Sequence, residues 1–200
     1  AQAIPSFTPD SVLAELRKQA PEAQRALAED FARAFLAKVP ADELETRTPA
    51  EWAALLLSNF EFAAELPEGA ARVRVFNPGP DAGFSSGYTV VQMVNDDMSF
   101  LVDSIGMALA AQGLASHGMV HPVFPISRDG DGRLLKVGEG GAESMIQVDV
   151  ERLASEADMR GLQQRFEEAF WCEELGTYVI ALDGAKKPCK VQSSNAGQVL

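Results

Sequence analysis

The stretch Tyr88-Thr89-Val90-Val91-Gln92-Met93-Val94-Asn95-Asp96-Asp97-Met98-Ser99-Phe100-Leu101-Val102-Asp103-Ser104-Ile105 decides the fold. Residues 88–94 carry no charge and are rich in β-branched side chains, the composition of a strand buried on both faces. Asn95, Asp96 and Asp97 then supply short polar side chains of the kind that cap a helix. A helix over 100–112 follows, with Leu101, Ile105, Ala108 and Leu109 on one face and Gly113 at its close.

Downstream, residues 114–127 return as a strand. The turn Asp129-Gly130-Asp131-Gly132 sends 133–137 back across it. Gly138-Glu139-Gly140-Gly141 is a loop before a further strand over 144–150. Ser155-Glu156-Ala157-Asp158 opens a helix whose inward face is Met159, Leu162, Phe166 and Phe170, and 177–182 has strand composition. Strand, helix, strand, strand, helix, strand is the ferredoxin-like βαββαβ order. It implies an α+β fold with a four-stranded antiparallel sheet covered on one face by two helices.

Upstream the period is helical. Val12, Leu13 and Leu16 share a face, Pro21 stops that helix, and Leu27, Phe31, Ala34 and Phe35 mark the next. Thr48-Pro49-Ala50-Glu51 is a capping box, opening a long helix with Trp52, Leu55, Leu56, Phe60 and Ala63 inward. Residues 72–76 alternate basic and apolar as a half-exposed strand does, and 77–87 is a Gly/Pro-rich loop. The division expected is 1–70 amino-terminal helices, 71–184 the α+β domain and 185–200 an irregular tail.

With 200 residues, 46% apolar and 23% charged, the chain can bury a sizeable core. A net charge of −12 excludes a general nucleic-acid binder and disfavours anionic membrane surfaces. Gln112, His117, His121 and Pro122 interrupt the apolar run over 105–124, so no membrane span is expected. Residues 1–5 lack a secretory pattern, which makes the cytoplasm the default location. Cys172 and Cys189 have no metal-site spacing and fit reduced thiols better than a disulfide framework, with a single bridge between them as the alternative.

Each candidate for chemistry has a plainer structural explanation. The glycines at 138, 140 and 141 precede a strand, not a helix with a phosphate-binding Lys. His117 and His121, on a strand, stand about 13 Å apart, too far to chelate one cation. Asp96, Asp97 and Asp103 could act as paired carboxylates, yet aspartates at a helix start cap amides and complement its dipole. Neither Ser104 nor Cys172 sits in a nucleophile motif. No catalytic, cofactor-binding or metal-binding residue is assigned.

Residues 90–104 closely resemble the amino-terminal part of large-type bacterial NAD-dependent glutamate dehydrogenases. The likeness continues through Arg72-Val73-Arg74-Val75-Phe76-Asn77-Pro78, Gly113-Leu114, Val120-His121-Pro122-Val123, the turn over 128–135 and Glu143-Ser144-Met145-Ile146-Gln147-Val148. Near Trp171 it stops. The resemblance implies an ACT-type module, with the NAD and glutamate sites in a dehydrogenase domain that this chain lacks. It therefore implies a non-catalytic regulatory or assembly module of that oxidoreductase, which deaminates L-glutamate oxidatively to 2-oxoglutarate. Its partners would be the remainder of the parent and, through sheet pairing, a second copy. ACT modules commonly bind amino-acid effectors at the loop between first strand and first helix, here Asn95, Asp96, Asp97, Met98 and Ser99. Amides at a helix start could receive the carboxylate and acidic side chains the ammonium. Ser99 stands where the usual ACT turn has Gly, which ranks the scaffold reading above the sensor.

Overall fold

The computed structural model describes residues 8–172 and 177–178. Residues 9–63 carry four α-helices: α1 (Pro9–Gln19), α2 (Arg25–Leu36), the single turn α3 (Ala41–Leu44) and α4 (Pro49–Ala63). The capping box is closed: the Glu51 amide donates to Thr48 Oγ1 at 3.3 Å and the Thr48 amide donates to Glu51 Oε2 at 2.9 Å. Those bonds from Thr48 hold the Glu51 carboxyl below its ordinary pKa. α4 is buried almost all round, from Trp52 and Leu55 to Asn59 and Phe62, because it lies between α1 and α2 on one side and a sheet on the other.

The sheet contains β1 (Ala71–Phe76), β2 (Thr89–Asp96), β3 (Ser116–Val120), β4 (Val123–Arg128), β5 (Leu134–Val137) and β6 (Gly141–Val150). Its order is β1-β2-β6-β4-β5, with β3 also on β6, and every pairing is antiparallel. The strand expected over 114–127 is thus two, broken at His121-Pro122. Pro122 has no amide to offer a ladder, and its carbonyl accepts from the Met145 amide at 2.9 Å. β3 and β4 nevertheless lie end to end along β6, so together they keep the place of one ferredoxin-like strand.

α5 (Leu101–Ala111) and α6 (Glu156–Phe170) complete the ferredoxin-like order. The fold class is as expected, with one substitution of parts: the place beside β2 that a strand after α6 would fill is taken by β1, which precedes β2. β7 (Trp171–Cys172) and β8 (Thr177–Tyr178) pair with each other in a separate sheet. The remainder of the strand expected over 177–182, and the tail over 185–200, lie outside the described residues.

Both faces of the sheet are covered, not one. Val73, Val91, Met93, Ile146, Val148 and Val150 pack against Ile105 and Leu109 of α5 and Leu162 and Phe166 of α6. The opposite face, through Val94, Phe124, Ile126 and Met145, shares a core with the helical layer. Phe31 of α2 meets Phe60 of α4 and Phe124 of β4 edge to face, at centroid distances of 5.7 and 5.4 Å. The uncharged run in β2 required two covers, and residues 9–63 are the second.

A polar seam aligns α4 with the sheet. Arg74 donates to Gln92 Oε1 at 2.6 Å and to the Ser58 carbonyl at 2.8 Å. Gln92 and Asn59 both donate to Gln147 Oε1, at 3.0 and 3.2 Å. These amides are buried, so each satisfied bond spares a desolvation cost that a slipped helix would incur. Among the described residues no helix is long and apolar enough to cross a membrane.

Candidate functional site

The loop singled out in the sequence joins the end of β2 to α5. Asn95 is buried opposite Ser144 of β6, and its side-chain amide donates to the Asp96 carbonyl at 2.6 Å. The Asp97 amide extends the ladder by donating to the Ala142 carbonyl at 2.9 Å. Met98 is half-buried against the core under α5 and α6, while Ser99 is exposed.

The expected capping role of Asn95, Asp96 and Asp97 is not what the structure shows. α5 begins at Leu101, its N-cap is Phe100, and no side chain caps it. Asp97 is drawn instead to β6, where Ser144 donates to its Oδ1 at 2.6 Å. That hydroxyl oxygen lies 3.0 Å from His121 Nε2. Ser144 has one proton and gives it to Asp97, so its oxygen accepts from Nε2–H. The direction is opposite to nucleophile activation, in which a histidine takes the serine proton. Ser144 is also fully buried.

Desolvation holds the His121 pKa below its ordinary value, opposed by Asp97. A base whose folded pKa is depressed is neutral in the fold, so its contribution to stability is complete above its unfolded value near 6.5. That contribution is lost as pH falls from there through the folded value. Urea midpoints should therefore drop as pH falls below about 6.5, and His121→Gln should flatten that part of the profile.

The loop is flanked by a buried ion pair. Arg128 of β4 grips Glu143 of β6 through Nε and Nη2, each at 2.7 Å, and donates from Nη1 to the Gly132 carbonyl at 2.9 Å. Partial desolvation raises the Asp96 carboxyl, with Arg128 opposing and Glu68 adding to the rise. His117, by contrast, stacks on Tyr88 with centroids 4.7 Å apart, so the two histidines have different partners. Gly138 and Gly140, both left-handed, lead into β6 and no helix follows them. Asp103 is exposed on α5, apart from the Asp97 bonding line.

Phe100 was not legible as unusual. Its φ of 66° makes it the one non-glycine residue with positive φ among the described residues, and its side chain is 68% exposed. Left-handed backbone costs an ordinary residue roughly 1–2 kcal/mol, and little burial offsets it here. Phe100→Gly should accordingly raise unfolding stability by about 1 kcal/mol after glycine's extra chain entropy is subtracted, read as a shift of the urea midpoint.

The family model described as the glutamate dehydrogenase ACT1 domain matches residues 31–166, from α2 to α6. A protein of Halomonas elongata named NAD-specific glutamate dehydrogenase is 29% identical over 161 residues, covering 76% of this chain and 10% of that protein. One of the same name from Pseudomonas aeruginosa is 28% identical over 142 residues, covering 67% and 9%. The chain thus spans about a tenth of the length of the curated relatives it matches.

Proposed function

The chain belongs to the glutamate dehydrogenase ACT1-domain family, and we propose that it is a non-catalytic regulatory and assembly module of a large, cytoplasmic, NAD-dependent glutamate dehydrogenase. The NAD and glutamate sites then lie in parts of the parent outside this chain. One observation carries the reading: the polar side chains at the loop and under α4 are spent on one another. Arg128 with Glu143, Asp97 with Ser144 and His121, and Arg74 with Gln92 all lock strands and helices in register. Such satisfied networks build a rigid platform. Its partner is the remainder of the parent. Sheet pairing with a second copy would have to use a strand edge, since both faces are occupied.

The test is deletion of this segment from the parent enzyme. The expected result is a changed oligomeric mass by light scattering, with glutamate-dependent NADH formation retained by the remainder. NADH formation by the isolated chain, or a truncated parent with unchanged mass and regulation, would overturn the reading.

A second reading keeps Asn95, Asp96, Asp97, Met98 and Ser99 as an amino-acid effector site. It is favoured by the start of α5, whose amides receive no side-chain cap, so a ligand carboxylate could take that place. Calorimetry with the common amino acids should then give saturable heat that Asp97→Asn weakens. Heats indistinguishable from dilution across the set would end it.

A further inference from the structure

β1 is the edge of the sheet, and its outer side is unpaired with any strand among the described residues. The Val75 amide points outward, where Gln163 Oε1 of α6 accepts from it at 3.3 Å. Backbone groups alternate sides along a strand, so Val73 and Ala71 also present theirs outward. Such an edge is a template for another strand. α4 and α6 overhang it from opposite faces. Between them runs an open groove of about 520 Å³, lined by Glu61 and Phe62, by Gln163 and Glu167, and along its floor by residues 71–74.

The charges on the α4 side select the occupant. Arg72 donates to the carbonyls of Phe62 and Glu65, at 2.8 and 2.9 Å, and Arg74 to Ser58 and Gln92. Phe62 and Phe76 flank the Arg74 guanidinium at 4.6 and 4.7 Å. Among the described residues neither arginine forms an ion pair. Desolvation accordingly pulls Arg74 down to about 10, countered by Glu61. Arg72 and Arg74 thus stand on one side of an open edge, bonded to carbonyl oxygens and to the Ser58 hydroxyl, and neither is in direct contact with a carboxylate, Glu61 acting on Arg74 only at longer range.

A second copy of β1 does not supply them. Antiparallel pairing centred on Val73 would set Arg72 of each copy opposite Arg74 of the other, and like charges directly opposed are destabilising. We propose that the β1 edge accepts, by antiparallel strand addition, an extended segment of the parent polypeptide bearing carboxylates at alternate positions on the α4 side. The inference rests on the module reading. It adds a binding surface on the outer side of β1, the side away from β2, and the chemistry of what it binds.

A fluorophore-labelled peptide Ac-Thr-Val-Glu-Val-Glu-Val-Thr-NH2, titrated into the 200-residue chain and followed by anisotropy, tests this. In antiparallel register its valine amides face β1 and its glutamates face Arg72 and Arg74. Saturable binding is expected, with slowed hydrogen exchange at the Val73 amide. A Lys-for-Glu version, a version N-methylated at the valines, and the Arg72→Gln protein with the original peptide should each bind at least about ten-fold more weakly, the size of a lost charge-assisted bond. Equal binding of the three peptides, or none that saturates, overturns the proposal. So does Val73 protection through a peptide-insensitive dimer. Because the isolated chain is used, peptide binding beside a truncated parent that assembles normally would count against the module reading alone.

Discussion

Arg128→Met should cost about 3–5 kcal/mol of unfolding stability, the range for breaking a buried ion pair by removing one partner. The side chains of Arg128 and Glu143 are 12% and 6% exposed, and the guanidinium meets both carboxylate oxygens. Methionine keeps most of the stem's packing but leaves Glu143 buried without a cation. The double variant Arg128→Met, Glu143→Met should recover most of the loss, because an apolar pair of similar volume carries no uncompensated charge. Urea denaturation of the four proteins in the cycle measures both effects. A single variant within about 0.5 kcal/mol of the parent, a typical surface substitution, would mean that the pair is solvated and the site misread.

Gly132→Ala should be comparably damaging, on the order of 3–5 kcal/mol from left-handed strain plus overpacking. Gly132 has φ +81°, and a Cβ there would stand 2.4 Å from the Leu66 carbonyl oxygen and 2.8 Å from Pro67 N. These are backbone atoms and cannot swing aside. They are also where the helical layer meets the β4–β5 hairpin: the Leu66 amide donates to the Gly132 carbonyl, and the Leu134 amide to the Ala64 carbonyl, both at 2.9 Å. Relieving the clash would break that seam. Gly69→Ala offers a matched control, since Gly69 is also left-handed at φ +66° but has nothing within 4 Å of the added carbon. It should show only the strain, about 1–2 kcal/mol. Equal losses in the two variants would refute the packing argument.

Local signals were readable where one residue type leaves little choice. The Thr48–Glu51 box, the Pro-bounded helices and the apolar faces of α5 and α6 follow from backbone chemistry within a few residues. Pairing across the chain was not readable. Residues 72–76 announce a strand by alternation, but nothing local says that this strand, and not one after α6, lies beside β2. Asp97 lies 47 residues from Ser144, so its diversion from capping duty left no mark in spacing. The groove at β1 was likewise invisible, because it requires α4 and α6 to meet a sheet edge from opposite faces. The loop over 95–99 was legible as a connection, and its individual bonds were not.

The position of β1 has a consequence for how the chain is made. Among the described residues, all six strands of the main sheet, and the helices that cover its second face, precede α6 in the sequence. A nascent chain emerging from its amino-terminal end therefore holds β1 to β6 once residue 150 is clear of the ribosome. Had the place beside β2 been reserved for a strand beyond α6, β2 would wait as an exposed apolar edge while α6 was synthesised, a hazard for misassembly. Filling it from upstream lets the edge close early.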